Sequence, residues 1–168
     1  MCTAATVSEA VTRLAREITV RLAESFPLVL CVMRGGVIFT GQLLPHLRFP
    51  LELDYVEVTR YGSSTLGGEL SWRMAPGPAV TGRVVLVLDD ILDEGKTLAA
   101  IREKLLVMGA SRVLIAVLSE KDTGRAKPVK ADFTGVKLPN RYVFGCGMDV
   151  KGAWRNLPEI YALKEDKE

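Results

Sequence analysis

The chain has 168 residues, 48% hydrophobic and 25% charged, the composition of a soluble globular protein with its own core, and it predicts a single domain over 1–168. A net charge of +2 argues against a dedicated nucleic-acid binder, which carries a strong basic excess, yet it allows a local basic patch for a small acidic substrate. No apolar run approaches the ~18 residues of a membrane-spanning helix, and the opening MCTAATVSEA lacks the basic-then-apolar order of a secretory leader, so a cytoplasmic location is expected.

In chain order, Val7, Val11, Leu14, Ile18, Leu22 and Phe26 recur at spacings of three and four, with Arg13, Arg16, Glu17 and Arg21 on the other faces. The spacing predicts a helix over 7–26, stopped by Pro27. Residues 28–33 form a continuous apolar run, the mark of a buried strand. Arg34-Gly35-Gly36 is a turn, and 37–47 resumes helical spacing through Val37, Leu43, Leu44 and Leu47. Residues 51–59 begin in strict alternation (Leu51, Leu53, Tyr55) and shift phase at Val56 and Val58, which predicts a bulged strand. The stretch 60–68 has the glycine- and serine-rich composition of a mobile loop, and 69–74 alternates as a hairpin's return strand. After the breaker Ala75-Pro76-Gly77-Pro78, a strand is predicted over 84–88. A helix follows over 97–108, with a Leu98, Ile101, Leu105, Met108 stripe and Gly109 at its C′ position. Strands at 113–118, 133–138 and 142–144 complete the set, with a polar, basic loop over 121–130 and a solvated tail, KEDKE.

Cys2, Cys31 and Cys146 are scattered without C-x-x-C spacing, so neither a zinc site nor a disulfide framework is expected. Cys31 and Cys146 lie in apolar runs and read as small core residues. The one histidine, His46, ends a helical pattern after Pro45 and reads as a surface residue.

Strands alternating with helices predict an α/β fold, a central, mainly parallel sheet flanked by helices. Ligands of such sheets bind beyond the carboxyl ends of the strands. Four polar interruptions follow apolar strands, at Arg34-Gly35, Asp89-Asp90, Lys121 and Asp149, and all four are expected near one edge.

The segment 84–97, VVLVLDDILDEGKT, concentrates the chemistry. Five apolar residues run into Asp89 and Asp90, Asp93 follows three positions later, and Glu94-Gly95-Lys96-Thr97 opens a helix. Backbone N–H groups at such a helix start attract a phosphate, while paired carboxylates accept hydrogen bonds from sugar hydroxyls. Helix capping accounts for Asp93 alone, not for two acids directly after a buried strand. A Walker A loop is excluded, because Asp90 stands where its first glycine belongs. The order of parts resembles the phosphoribosyl pyrophosphate signature of type I phosphoribosyltransferases. The segment 141–155, RYVFGCGMDVKGAWR, extends the resemblance to their hypoxanthine-guanine branch, over roughly residues 7–163.

The resemblance implies the type I phosphoribosyltransferase fold, with a small hood and a flexible hairpin loop. It makes Asp89 and Asp90 the ribose-binding acids and Asp93 the general base or acid near N7 of a purine. Glu94, Gly95, Lys96 and Thr97 would cradle the 5′-phosphate; a hydroxyl residue is usual at the Glu94 position, and the glutamate is expected to point outward. Arg34 and Gly35 match the pyrophosphate loop, where lysine is common in place of Arg34 and a non-proline cis peptide is expected between Met33 and Arg34. Lys121 would donate to O6 of the base, Tyr142 would stack on it, and the Val143 backbone would read its edge. Asp149 would contact magnesium through water, with Asp89 and Asp90 as further metal contacts, and Arg155 would reach pyrophosphate. Tyr61 would shield the reaction from a lid in which Arg60 replaces the family's serine. Read singly, Lys121 is a surface lysine, Tyr142 a core aromatic and 60–68 a plain hairpin loop; the spacings together favour the functional set.

The activity so implied is a purine salvage transferase in which phosphoribosyl pyrophosphate and hypoxanthine or guanine give IMP or GMP and pyrophosphate, with Mg²⁺ as cofactor. A homo-oligomer, dimer or tetramer, is implied, with no nucleic-acid or membrane partner. Two alternatives stand beside it: an enzyme for xanthine or another base, and a regulator that binds phosphoribosyl pyrophosphate as a signal. The regulator needs a basic face, and the chain has no Lys/Arg run.

Overall fold

The computed structural model describes residues 1–60 and 70–164. At its centre is a six-stranded sheet made of β1 (Leu28–Met33), β2 (Glu52–Arg60), β3 (Leu70–Met74), β4 (Val84–Leu92), β5 (Arg112–Lys121) and β6 (Phe133–Leu138). The strand order is β3-β2-β1-β4-β5-β6, and only the β2–β3 hairpin pair runs antiparallel. The mainly parallel α/β sheet expected from the alternation is the one that forms.

Helices α1 (Ala4–Leu22) and α2 (Gly36–Leu43) lie on one face and α3 (Lys96–Val107) on the other. The period-2 side-chain alternation of the strands divides the core between them. Val29, Leu86, Leu88, Leu114, Ala116 and Leu118 pack with Leu14, Ile18, Leu22, Phe39 and Leu43. Leu30, Val85, Val87, Val113, Ile115 and Val117 pack with Leu98, Ile101 and Leu105. Strands buried on both faces read as unbroken apolar runs for this reason. Cys31 and Cys146 are buried, and burial pushes both thiols up, Cys146 to about 11, so they pack as small apolar groups.

Element ends differ from the periodicity reading in physically definite ways. The first helix starts at Ala4, capped by the Thr3 hydroxyl, which accepts from the Thr6 N–H at 3.2 Å. It stops at Leu22 rather than Phe26, because the Ser25 N–H and hydroxyl both take the Leu22 carbonyl. The pattern over 37–47 divides into α2 and a 3₁₀ turn, Leu44–His46, as Pro45 cannot donate to a continuing helix. The strand predicted over 84–88 continues to Leu92, since β5 pairing extends through Asp89↔Val117, Ile91↔Ser119 and Leu92↔Glu120. Asp89 and Asp90 are therefore strand residues, not the first residues of a loop. The expected bulge is present, but its extra residue lies on the partner strand: Glu57 pairs with Met74 and Val58 with Trp72, leaving Arg73 unpaired on β3.

A second, two-stranded sheet joins β7 (Val143–Phe144) to β8 (Tyr161–Ala162) and matches the expected hood. Two residues of pairing leave too short a period for β8 to be foreseen. Backbone bonds between Cys2 and Ile160 tie this unit to the start of α1. Among the described residues no helix is long and apolar enough to cross a membrane.

Candidate active site

The carboxyl ends of the parallel strands open into a cavity of about 500 Å³ lined by Arg34 and Gly35 after β1, Glu57 and Thr59 on β2, Arg73 on β3, Asp89 and Asp90 on β4, the turn Asp93, Glu94, Gly95 and Thr97, and Arg155. A smaller cavity of about 290 Å³ adjoins it and shares Asp90, Ile91, Asp93 and Arg155; its other walls are Lys121, Tyr142, Val143, Met148 and Asp149. All four polar interruptions seen in the sequence thus meet at one edge. Because strand order is spatial order, they also form a sequence across the sheet. Cations lie on the β1–β3 side, carboxylates on β4, and the Lys121 and hood group beyond.

Asp89 and Asp90 are 9% and 7% exposed. Burial pushes both carboxyls above the usual range, and for Asp89 the charge of Asp90 adds to that push. For Asp90 the Asp89 side chain and the Arg155 charge pull the other way without cancelling the rise. The Asp90 N–H donates to Asp89 Oδ1 at 2.9 Å, and backbone hydrogen bonding from Ile91 also reaches the Asp90 carboxyl. Two crowded, buried acids of this kind gain from any ligand that brings hydroxyl donors or a cation.

The turn after β4 is built on Gly95, whose φ of +80° at the helix N-cap is a left-handed geometry suited to glycine. It brings Thr97 and Leu98 in the first turn of α3 to the cavity wall. Glu94 pairs with Lys96 at 3.0 Å, with both side chains more than half exposed, and Lys96 is not part of the larger cavity's wall. Asp93 and Lys121 stand side by side because β4 and β5 are in register up to Leu92↔Glu120. Their Oδ2 and Nζ are 2.7 Å apart, and Lys121 is 11% exposed. The sequence reading treated these two as separate functions; the structure joins them in one charge-assisted pair.

In the hood the Tyr142 hydroxyl donates to the Asp149 carbonyl at 3.2 Å while the ring stays exposed toward the smaller cavity. Val143 is buried, its backbone held in β7. Asp149 accepts from the Gly152 N–H at 2.7 Å and forms an ion pair with Arg155 Nη2 at 2.5 Å, and Arg155 Nη1 donates to the Gly147 carbonyl at 2.7 Å. Arg155 is thereby fixed at the junction of the two cavities. The Met33–Arg34 peptide is cis. Tyr61 lies outside the described residues.

Gly35 and Gly147 stand where the parts of the site come closest. A Cβ on Gly35 would come within 2.1 Å of Asp90 Oδ2, and one on Gly147, at φ +102°, within 2.0 Å of the Gly35 carbonyl. Both let the turn after β1, Asp90 and the hood stack at closest approach. Gly147, Ile91, Met148, Glu57, Thr59 and Arg73 were not foreseen as parts of the site. Ile91 sits inside the acidic motif and was legible there; the rest depend on tertiary neighbours and leave no local pattern.

Comparison with known proteins agrees with this geometry. The model of the phosphoribosyl transferase domain matches residues 4–151. The hypoxanthine-guanine phosphoribosyltransferase of Bacillus subtilis (strain 168) is 35% identical over 159 residues, covering 94% of this chain and 88% of that protein. A solved hypoxanthine-guanine-xanthine phosphoribosyltransferase superposes with a TM-score of 0.81 at 32% identity, covering 98% of this chain and 93% of that one. A hypoxanthine phosphoribosyltransferase from Staphylococcus aureus does so with a TM-score of 0.91 at 25% identity, covering 98% and 90%. The chain belongs to the phosphoribosyltransferase family. It is a phosphoribosyl-transferring enzyme of the type I fold.

Proposed function

We propose that the enzyme transfers the 5-phosphoribosyl group of phosphoribosyl pyrophosphate to N9 of hypoxanthine or guanine, giving IMP or GMP and pyrophosphate. The observation that carries this reading is the Asp93–Lys121 pair beside Tyr142. The edge of a 6-oxopurine presents two neighbouring acceptor positions, N7 and O6. A carboxylate and an ammonium held 2.7 Å apart match that edge once N7 carries the proton to be lost: Asp93 takes it and Lys121 donates to O6. Tyr142 and Ile91 supply apolar faces for the ring, and the Val143 backbone its outer edge.

On the donor side, Asp89 and Asp90 accept from the ribose hydroxyls, and Glu94, Gly95, Lys96 and Thr97 hold the 5′-phosphate at the start of α3. Arg34, Gly35 and Arg155 face the pyrophosphate. As the bond from C1′ to pyrophosphate breaks and N9 bonds to C1′, these cations stabilise the leaving charge where it develops.

Asp89, Asp90 and Asp149 are hard oxygen donors, and among the described residues no group of three or more His, Cys, Asp or Glu could hold a metal by itself. The set fits a magnesium ion that takes its remaining ligands from the diphosphate and water. Bound there, magnesium would neutralise charge on the leaving group. A homo-oligomer, dimer or tetramer, acting in the cytoplasm as one catalytic unit per 168-residue chain, completes the proposal.

Pyrophosphate release with hypoxanthine, guanine, xanthine, adenine and uracil tests the reading. Adenine carries an amino group at C6, which would set donor against donor at Lys121. Such a mismatch discriminates by about 10⁴-fold in kcat/KM, so comparable values for adenine and hypoxanthine would overturn it. Xanthine stays in the panel because one structural relative is named for its use as well.

A further inference from the structure

Resting on the transferase reading above, we propose that Arg73 is a further binding residue for the pyrophosphate end of the donor, kept beside Arg34 by Glu57, whose carboxylate stands in for the absent anion. Arg73 is the unpaired residue of the β2–β3 bulge, and bulges beside active sites re-aim a side chain that regular pairing would direct elsewhere. The re-aimed side chain lines the same cavity as Asp89, Asp90 and the turn after β4.

Glu57 Oε1 lies 3.5 Å from Arg34 Nε and 3.5 Å from Arg73 Nη1, so two guanidiniums converge on one oxygen. Both distances exceed the 2.7–2.9 Å typical of a tight charge-assisted bond. The guanidiniums are 64% and 58% exposed, so neither is committed to the fold. Loose, exposed pairs of this kind contribute little to stability and rearrange at little cost. A diphosphate entering the cavity offers several oxygens at full negative charge in place of one carboxylate oxygen, and each planar fork can take two of them. Strand order places Arg73, Glu57 and Arg34 together on the far side of Asp89 and Asp90 from Lys121, opposite the proposed base site.

Calorimetric titration with magnesium pyrophosphate tests this directly. Arg73→Gln weakens pyrophosphate binding and raises the KM for phosphoribosyl pyrophosphate by about ten- to hundredfold, the worth of hydrogen bonds to a charged group. Its KM for hypoxanthine and its affinity for GMP stay at parental values, and Arg73→Lys falls between. Glu57→Gln removes the competing carboxylate and tightens pyrophosphate by about two- to fivefold, whereas a purely structural ion pair would lose affinity on the same change. Arg102→Gln on α3 controls for the loss of one surface charge. Equal pyrophosphate affinity in the parent and Arg73→Gln overturns the proposal and leaves the transferase reading standing, since nucleotide formation by the parent tests that separately. A parent that neither binds pyrophosphate nor forms nucleotide overturns both.

Discussion

Asp93 carries the proton transfer in the proposed reaction, and it is paired with the Lys121 ammonium at 2.7 Å. Asp93→Asn keeps its size and removes its basicity; turnover should fall by about 10²–10⁴-fold with phosphoribosyl pyrophosphate still bound, as single-turnover and calorimetric measurements would show. Asp89 has the opposite profile, a buried carboxyl whose pKa is raised by burial and by Asp90. An acid with a raised folded pKa binds more protons folded than unfolded. Its contribution is most favourable below the unfolded carboxylate range near pH 4 and is lost as pH rises toward the folded value. Asp89→Asn should therefore melt higher than the parent, at about 2–4 °C per kcal/mol for a chain of this size. The gap should widen from pH 5 to pH 8 while donor affinity collapses. A constant gap in thermal scans across that range would mean Asp89 titrates normally.

At the scale of elements, the site depends on Gly35 and Gly147, whose missing side chains let the turn after β1 and the hood close on Asp90 at the end of β4. Gly147→Ala places a Cβ on the Gly35 carbonyl at a φ where such a residue is strained, so it should lower Tm and weaken donor binding together. Gly41 sits in α2 with open space around it, and Gly41→Ala should raise stability by up to about 1 kcal/mol with activity unchanged. Chemical denaturation and steady-state kinetics on the two variants separate these effects. Equal behaviour would show that the contact at Gly147 relaxes freely.

At the scale of the whole molecule, the proposed substrate spans the sheet, from the arginines beside β1 and β3 across β4 to β5 and the hood. A ligand that binds only the folded state stabilises it by mass action, about 2.7 kcal/mol at a hundred times Kd. Phosphoribosyl pyrophosphate with magnesium should therefore raise Tm by about 5–10 °C. No shift at millimolar ligand would count against the site as a whole.

Buried parallel strands cannot hide in a sequence, because both faces must be apolar; this made β1, β4 and β5 and the α/β class legible from residues alone. The β4 acids and Gly95 were legible for a related reason, since polar residues abutting such a strand, and a glycine opening a helix, have few other uses. Pairing decided what lay beyond that reach. The register of β4 on β5 carried the strand through Asp89 and Asp90 and set Lys121 against Asp93. The skipped partner between Glu57 and Val58 left Arg73 at the cavity wall, and the packing of Gly147 on Gly35 closed the hood over Asp90. A sequence carries period and composition, which are local; which two residues face one another across strands is set by the packing of the whole chain.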